Sequence, residues 1–424
     1  MQPAPTTGAP IPASTHDGPR PRELAAPIAV RALDLDDLPD GIDLGPARGG
    51  GRYTGLHGVL MRGGRPVGTI VVPADAEGRV RAGDLAAAAA RVELPPPPPP
   101  APGPGERPAG TVVVTTCDNP GPLLRCLGSI VPALAAGDRI VVVENRPAAS
   151  RVRAALAEAF GGDRRIDYVE ERRPGLGRAR NAGLAAVGTP FVAFTDDDVI
   201  AEPTWSDCLF GTLAAHPAAA VATGLIAPLA LETGSQLLLE RFAGFGKGYR
   251  RRVFRLSEPP PGDPLFPYAA GTFGSGANLA CRTAAMRALG GFDPYLGTGT
   301  PARGGEDLDL FTRAILAGHE LVYEPGALVW HEHPDTPERL RRQAYGYGAG
   351  LGAAIAKLVA CGPSRTGLLR RIPAGARHML ASDSPKNARK GPAYPRRLTL
   401  MELAGLASGP VGYARSRLAG RPAR

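Results

Sequence analysis

Six consecutive prolines at 95–100, followed by Ala-Pro-Gly-Pro-Gly, set the first limit on how this chain can fold. Proline fixes φ and lacks a backbone N–H, so the run enters neither a helix nor an inner strand and reads as a stiff, extended linker over 95–110. The 424 residues must therefore form at least two folding units. Ahead of the linker, residues 1–25 read as disordered and 26–94 as a small α+β module. In that module, strands at 55–61 and 67–72 flank a turn at 62–66, and an Ala-rich helix follows at 82–91. The module carries no motif that points to chemistry.

Beyond the linker, apolar runs alternate with helical segments, the pattern of an α/β unit whose parallel sheet is covered on both faces. Strands are predicted at 111–116, 139–144, 166–170 and 190–195, with helices at 121–135, 149–160, 177–187 and 204–216. Each strand runs into a polar cluster: Cys117-Asp118-Asn119, Glu144-Asn145, Glu171-Arg172-Arg173 and Asp196-Asp197-Asp198. Ligands of such sheets sit beyond the carboxyl ends of the strands, so the four clusters should meet at one crevice.

Charge is spread unevenly. Residues 361–424 hold 13 Lys and Arg against two acids, whereas the rest of the chain nearly balances. A basic, helical extension over 336–424 is expected either to be solvated or to meet an anionic membrane surface or partner. The basic residues are almost all Arg, a skew of coding composition, and are not read as a nucleic-acid footprint; no nucleic-acid partner is expected. Five scattered cysteines without a CxxC pair argue against a disulfide framework or zinc knuckle and for a reducing compartment. No secretory signal is recognisable at the N-terminus, and no stretch reads as a clean membrane span.

Three carboxylates at the end of a buried strand repel one another unless a cation or hydrogen-bond donors compensate, which makes Asp196-Asp197-Asp198 the strongest chemical signal. Mn2+ or Mg2+ suits such oxygen ligands. A second acidic group, Glu306-Asp307-Leu308-Asp309, opens a helix, where either Asp307 or Glu306 could be a general base, or simply complement the helix dipole. His331 and His333 sit two apart on an extended segment, and His331 is the stronger metal candidate. The glycine-bearing segments 173–183 and 271–278 offer backbone N–H groups, arginines and room for close approach of a ligand.

Taken in order, these elements resemble family 2 glycosyltransferases. The resemblance rests on Thr116-Cys-Asp-Asn-Pro120, Val143-Glu144-Asn145, the Gly-x-x-x-Ala-Arg-Asn-x-Gly segment at 175–183 and Asp196-Asp197-Asp198. It continues through Gly-x-Gly-Ala-Asn at 274–278, Gly290-Gly-Phe-Asp293, Gly305-Glu-Asp307 and His331, and spans about 111–335. It implies the GT-A fold and inverting transfer from a nucleotide-diphosphate sugar to an acceptor hydroxyl. By the same resemblance, Thr116, Asp118 and Glu144 would border the nucleobase and ribose. Arg180 and Asn181 would lie near the diphosphate, with Asp197, Gly276 and Asn278 also in the nucleotide-sugar site. Asp196 would approach the ribose or the metal, Asp198 would ligate Mn2+ or Mg2+ with His331 (His333 as the alternative), and Asp307, beside Glu306, would be the base. Cys117 and Glu144 stand where the family more often has an aromatic and Asp, leaving uracil, guanine and thymine open.

The expectation is thus a cytoplasmic, metal-dependent transferase, peripheral to the inner face of the plasma membrane if its acceptor is lipid-linked; a glycan or small-molecule acceptor fits equally. A helix at 339–357 could lie at that interface or pack plainly on the core. Nucleotidyl transfer, or noncatalytic binding of a nucleotide-sugar or protein partner on the same fold, are the competing readings.

Overall fold

The computed structural model describes residues 24–96, 107–147, 150–361, 365–384, 386, 387, 390 and 394–420. The disorder expected over 1–25 and the linker expected over 95–110 lie mostly outside the described residues.

The N-terminal part contains β1 (Ala29–Asp34), β2 (Gly41–Asp43), β3 (Gly55–Arg62), β4 (Arg65–Pro73), β5 (Arg79–Arg81) and α1 (Ala82–Ala89). β3 and β4 pair antiparallel across Gly63-Gly64, both at positive φ, the conformation that lets a two-residue loop follow the strand twist. β1 adds to the other edge of β3 in parallel. This sheet is not free-standing. Val59 and Met61 of β3 share an apolar cluster with Leu225, Ala227, Leu328 and Trp330, and Arg65 reaches the buried Glu324 at 3.4 Å.

The second part runs β6 (Gly110–Thr116), α2 (Pro120–Ile130), β7 (Arg139–Asn145), α3 (Val152–Phe160), β8 (Ile166–Glu171), α4 (Leu176–Ala186) and β9 (Phe191–Asp196). It continues with β10 (Val199–Ala201), α5 (Trp205–Ala215), β11 (Ala219–Pro228), α6 (Gly234–Ala243) and β12 (Arg252–Phe254). β13 (Asn278–Arg282), α7 (Thr283–Ala288), α8 (Glu306–Leu316) and β14 (Glu320–His331) complete it. The strands form one sheet in the order β10-β14-β11-β13-β9-β6-β7-β8, with β12 also on β14. The four predicted strands make its wholly parallel half, β9-β6-β7-β8. Alternation along the strands feeds two cores: Val112, Val114, Ile140 and Val142 face α2, α3 and α5, while Val113, Val141 and Val143 face α4 and α8. The fold is therefore the α/β class expected, a mostly parallel sheet between helical layers.

The sequence predicts no strand at β10, β11, β12 or β13, and of β14 only the extended segment at its end. β11 is Ala-rich, with weak intrinsic strand preference, and is buried on both faces, so it lacks an alternating pattern. Pro217 lies between α5 and β11, dividing what reads in sequence as one apolar stretch. β13 pairs antiparallel with both β9 and β11, reversing the sheet's direction beside the acidic triplet.

The C-terminal part is helical: α9 (Pro337–Cys361), α10 (Arg365–Leu369), α11 (Ile372–Leu380) and α12 (Arg396–Ala419). The helix expected at 339–357 is longer than predicted and packs on the core and on α12. The seam is made of glycines: side chains at Gly348 or Gly352 would strike the main chain at Glu402 and Leu406, and those at Gly405 or Gly409 the main chain at Tyr345 and Ala349. No helix among the described residues is long and apolar enough to cross a membrane.

In an open helix, Gly→Ala gains up to about 1 kcal/mol. At Gly409 the added carbon would lie 2.4 Å from the Ala349 carbonyl oxygen. We expect Gly409→Ala to lower stability by about 1–3 kcal/mol instead. A thermal melt decides the sign, and a raised midpoint would mean that the seam is loose.

Candidate active site

The parallel half of the sheet aligns the polar strand ends. Thr116 is paired in register with Glu144, Glu144 with Glu170, and Thr115 with Asp196. The Thr116 hydroxyl donates to Asp197 Oδ2 at 2.5 Å, tying the end of β6 to the triplet. Burial pushes Asp197 up to about 7; the charges of Asp198 and Asp196 add to this and the Thr116 hydroxyl opposes it. Glu144 is buried and accepts from the Tyr168 hydroxyl at 2.5 Å, while its Oε1 has no partner. Asp118 is exposed, at positive φ, 3.7 Å from Arg151.

Arg180, on α4, is only 1% exposed and is the hub of the site. Its Nη1 donates to Glu306 at 3.0 Å, and its Nη2 donates to Asp196 at 3.0 Å and to the Gly276 carbonyl at 2.9 Å. A side chain at Gly276 would collide with this guanidinium, which explains the glycine there. The N–H of Gly276 donates in turn to Asp307 Oδ2 at 2.8 Å, and the Leu308 N–H donates to its Oδ1 at 2.8 Å. Gly305, at φ 88°, turns the chain into α8 so that Glu306 points inward and Asp307 stays half-buried. Burial and the Asp307 charge push the Glu306 carboxyl up, against the pull of Arg180.

Several sequence expectations change accordingly. Arg180 is spent on protein groups rather than free for a diphosphate. Glu306 is buried in the Arg180 pair and positions its neighbour; of the two acids, Asp307 is the accessible one. Asn278 is fully buried, donating to the Leu225 and Ala327 carbonyls and accepting from Trp205 Nε1, so it locks strands together and does not meet a ligand. Asn181 exchanges two hydrogen bonds with the main chain of Phe292.

Asp198 and His331 face each other across the ends of β9 and β14, with Nε2 3.7 Å from Oδ1. That is too long for a hydrogen bond. The Asp198 Oδ1 and the His331 Nδ1 are buried without partners. Burial pushes the Asp198 carboxyl up and the His331 imidazole down, while each partly offsets the other. His333 lies beside His331, the ring centroids 5.8 Å apart, but is buried with its Nε2 3.0 Å from Glu240 on α6. Asp196 belongs to Arg180, and among the described residues no three His, Cys, Asp or Glu side chains converge on a metal position. The expected set of Asp196, Asp198 and His331 is thus reduced to the Asp198–His331 pair. An orphaned carboxylate oxygen opposite an imidazole nitrogen is a donor pair that would fit a hard divalent cation.

The profile described as "Glycosyl transferase family 2" matches residues 111–260, the span holding the strand ends, Arg180 and the triplet. Residues 111–260 are thus similar to glycosyl transferase family 2. The chain aligns with "Pre-mycofactocin glycosyltransferase" of Mycobacterium tuberculosis, 29% identical over 246 residues. The alignment covers 58% of this chain and 47% of the relative, so the chain spans about half the length of the curated relatives it matches. Similar solved structures include a mannosyltransferase from Pyrobaculum calidifontis in complex with GDP-Man and Mn2+. It is 19% identical, with a TM-score of 0.47, over 77% of this chain and 80% of that one. Another is glucosyl-3-phosphoglycerate synthase from M. tuberculosis with Mn2+, UDP and glucosyl-3-phosphoglycerate, at 19% identity and a TM-score of 0.40, over 60% and 80% of the two chains.

Residues 111–260 do not hold the whole site, since Asp307, His331 and Tyr347 lie beyond them. Phe245 packs its ring 5.1 Å from that of His331, and Tyr347 on α9 lies 6.2 Å from Phe245, edge-on. Neither was singled out in sequence, although the glycines around Tyr347 at 346, 348 and 350 signal a closely packed helix.

Removing the Arg180 charge leaves the buried Glu306 unpaired. We expect Arg180→Met to cost about 3–5 kcal/mol in denaturant unfolding. A cost below about 1 kcal/mol would show that the hub is not structural.

Proposed function

We propose that the protein is an inverting glycosyltransferase that moves a sugar from a nucleotide-diphosphate donor to an acceptor hydroxyl, with Asp307 as general base. The observation that carries this is the half-buried Asp307 carboxylate, held by the Gly276 N–H beside the crevice where Asp198 and His331 face each other. The acceptor's proton passes to Asp307 as its oxygen attacks the anomeric carbon. The bond to the diphosphate breaks, its electron pair leaves with the nucleotide, and a single displacement inverts the stereochemistry. Asp198 and His331 would hold Mn2+ or Mg2+, and the ion would supply positive charge to offset that on the departing diphosphate. Thr116, Asp118 and Glu144, at adjoining strand ends, would receive the nucleoside, and the unpartnered Glu144 Oε1 suits a ribose or base donor. Asp197 accepts from the Thr116 hydroxyl of the same group. The relative's name puts pre-mycofactocin among the acceptors to assay.

Melting the protein against UDP, GDP, dTDP and CDP and their sugar conjugates, with and without Mn2+, tests donor binding. A ligand at about 100 times its Kd adds about 2.7 kcal/mol. One nucleotide should shift the melt only with metal, and His331→Ala should abolish that dependence. Asp307→Asn should cut transfer by about 100-fold or more while sparing nucleotide binding, as expected for loss of a general base. Unchanged transfer would remove Asp307 from the role.

The basic C-terminal part supports a peripheral contact with an anionic bilayer. α11 buries none of its side chains; Ile372 is 56% and Leu380 67% exposed, and Arg370, Arg371 and Arg377 lie close by in sequence. Apolar side chains flanked by arginines suit a headgroup region, which would place the enzyme at the cytosolic leaflet. Deleting 362–424 would also remove α12 and loosen α9, so substitution is the cleaner test. Ile372→Asp with Leu380→Asp should abolish flotation with liposomes rich in phosphatidylglycerol at low salt, and undiminished flotation would refute the contact.

A further inference from the structure

We propose that Tyr347 and Phe245 form the wall of an acceptor subsite that takes a hydroxyl-bearing ring by its apolar face. The inference rests on the glycosyltransferase reading and adds to it the kind of acceptor. Its residues come from different places: Phe245 follows α6, inside the family 2 domain, and Tyr347 lies on α9, well past the matched residues.

Backbone contact fixes where α9 stands. A side chain at Gly305 would lie 2.2 Å from the Gly350 carbonyl oxygen, and one at Gly350 would lie 2.8 Å from the main chain of Gly304 and Gly305. α9 therefore rests directly on the turn that delivers Glu306 and Asp307. Tyr347 is one helical turn from Gly350 and shares its face of the helix. That places its ring over the same crevice. Tyr345, on another face, instead donates its hydroxyl to Ser408 of α12 at 2.7 Å and belongs to the seam.

The Tyr347 side chain is in an unusual position. It is 40% exposed, yet burial among surrounding groups raises its hydroxyl pKa, and the charges of Asp307 and Asp198 raise it further. An aromatic ring that is open to water while both carboxylates lie within electrostatic reach belongs to the wall of a cleft rather than to an outer surface. The hydroxyl end is held by Gln343, and Phe245 meets the ring edge-on at 6.2 Å and an angle of 89°. Phe245 also contacts the rings of His331 and His333 at 5.1 and 5.7 Å, so the wall is continuous with the Asp198–His331 pair. Aromatic surface of this kind favours flat apolar faces, and the nearby carboxylate favours a hydroxyl at the rim of whatever stacks there. A sugar ring, with its C–H face, and a phenolic ring share that chemistry.

Ligand-observed NMR on the full chain, with and without the nucleotide that shifts the melt, tests this with methyl β-D-glucopyranoside, 4-methylphenol and ring-free glycerol as probes. We expect at least one ring probe to bind in preference to glycerol. Tyr347→Ala should weaken that binding tenfold or more with the nucleotide shift unchanged, and Tyr347→Phe should stay within about twofold of the parent. Preference for one ring over the other identifies a saccharide or an aromatic acceptor. The proposal is overturned if neither ring probe binds better than glycerol, if Tyr347→Ala binds them as the parent does, or if that variant also loses the nucleotide shift. Absence of any nucleotide shift in the parent is a failure of the glycosyltransferase reading. Ring binding measured without nucleotide is read independently of it.

Discussion

One guanidinium organises the site. Arg180 is buried beneath the crevice, and its planar fork reaches an acid on β9, an acid on α8 and the carbonyl of Gly276. A lysine ammonium could not serve three acceptors in those directions. In a setting from which water is excluded, such a charge is stable only while its partners stay in place, and the partners repel one another without it. The strand carrying the acidic triplet, the 271–278 loop and the start of α8 are therefore fixed as a unit. Asp307 owes its position to a residue that it does not touch.

The same crevice is braced from outside residues 111–260 on two sides. The N-terminal sheet packs through Val59 and Met61 against Leu328 and Trp330 of β14, next to His331. On the other flank, α9 sits on Gly304-Gly305 and is itself clasped by α12 through contacts that admit no side chain. The two flanks act on different groups, β14 on the imidazole and α9 on the carboxylate of Asp307. Asp198, His331 and Asp307 thus stand on the strands and helices of the second part of the chain but are braced by the parts before and after it.

Much of this was legible in the chain. The parallel half of the sheet could be read because its strands are β-branched, continuous and end in polar residues; the register then brings Thr116, Glu144 and Asp196 side by side. Asp307 and His331 were legible as chemical types in a recognisable order. What could not be read was the division of labour among like residues. Glu306 and Asp307 are adjacent acids, and only the turn at Gly305 decides which faces Arg180. Asn278 lies in a loop-like glycine motif, yet strands that close around it spend its whole amide on Leu225, Ala327 and Trp205. Arg180 looked like an anion binder because its partners, Asp196 and Glu306, lie 16 and 126 residues away. The seam of α9 and α12 was hidden for a related reason: glycines carry no apolar pattern, and closeness of backbones leaves no mark on a helix's periodicity.

That seam also sets an order of assembly. Gly409 follows Asp307 by about 100 residues, and at synthesis rates of about 5–20 residues per second the interval between them lasts roughly 5–20 s. The parallel strands from β6 to β9 are close in sequence and can pair while the rest of the chain is still being made. The support that α9 gives to Gly304-Gly305 has to wait for α12. A nascent chain would therefore pair the strands that carry Thr116, Glu144 and Asp196 well before the turn that delivers Asp307 is braced, so the two sides of the crevice are finished at different times.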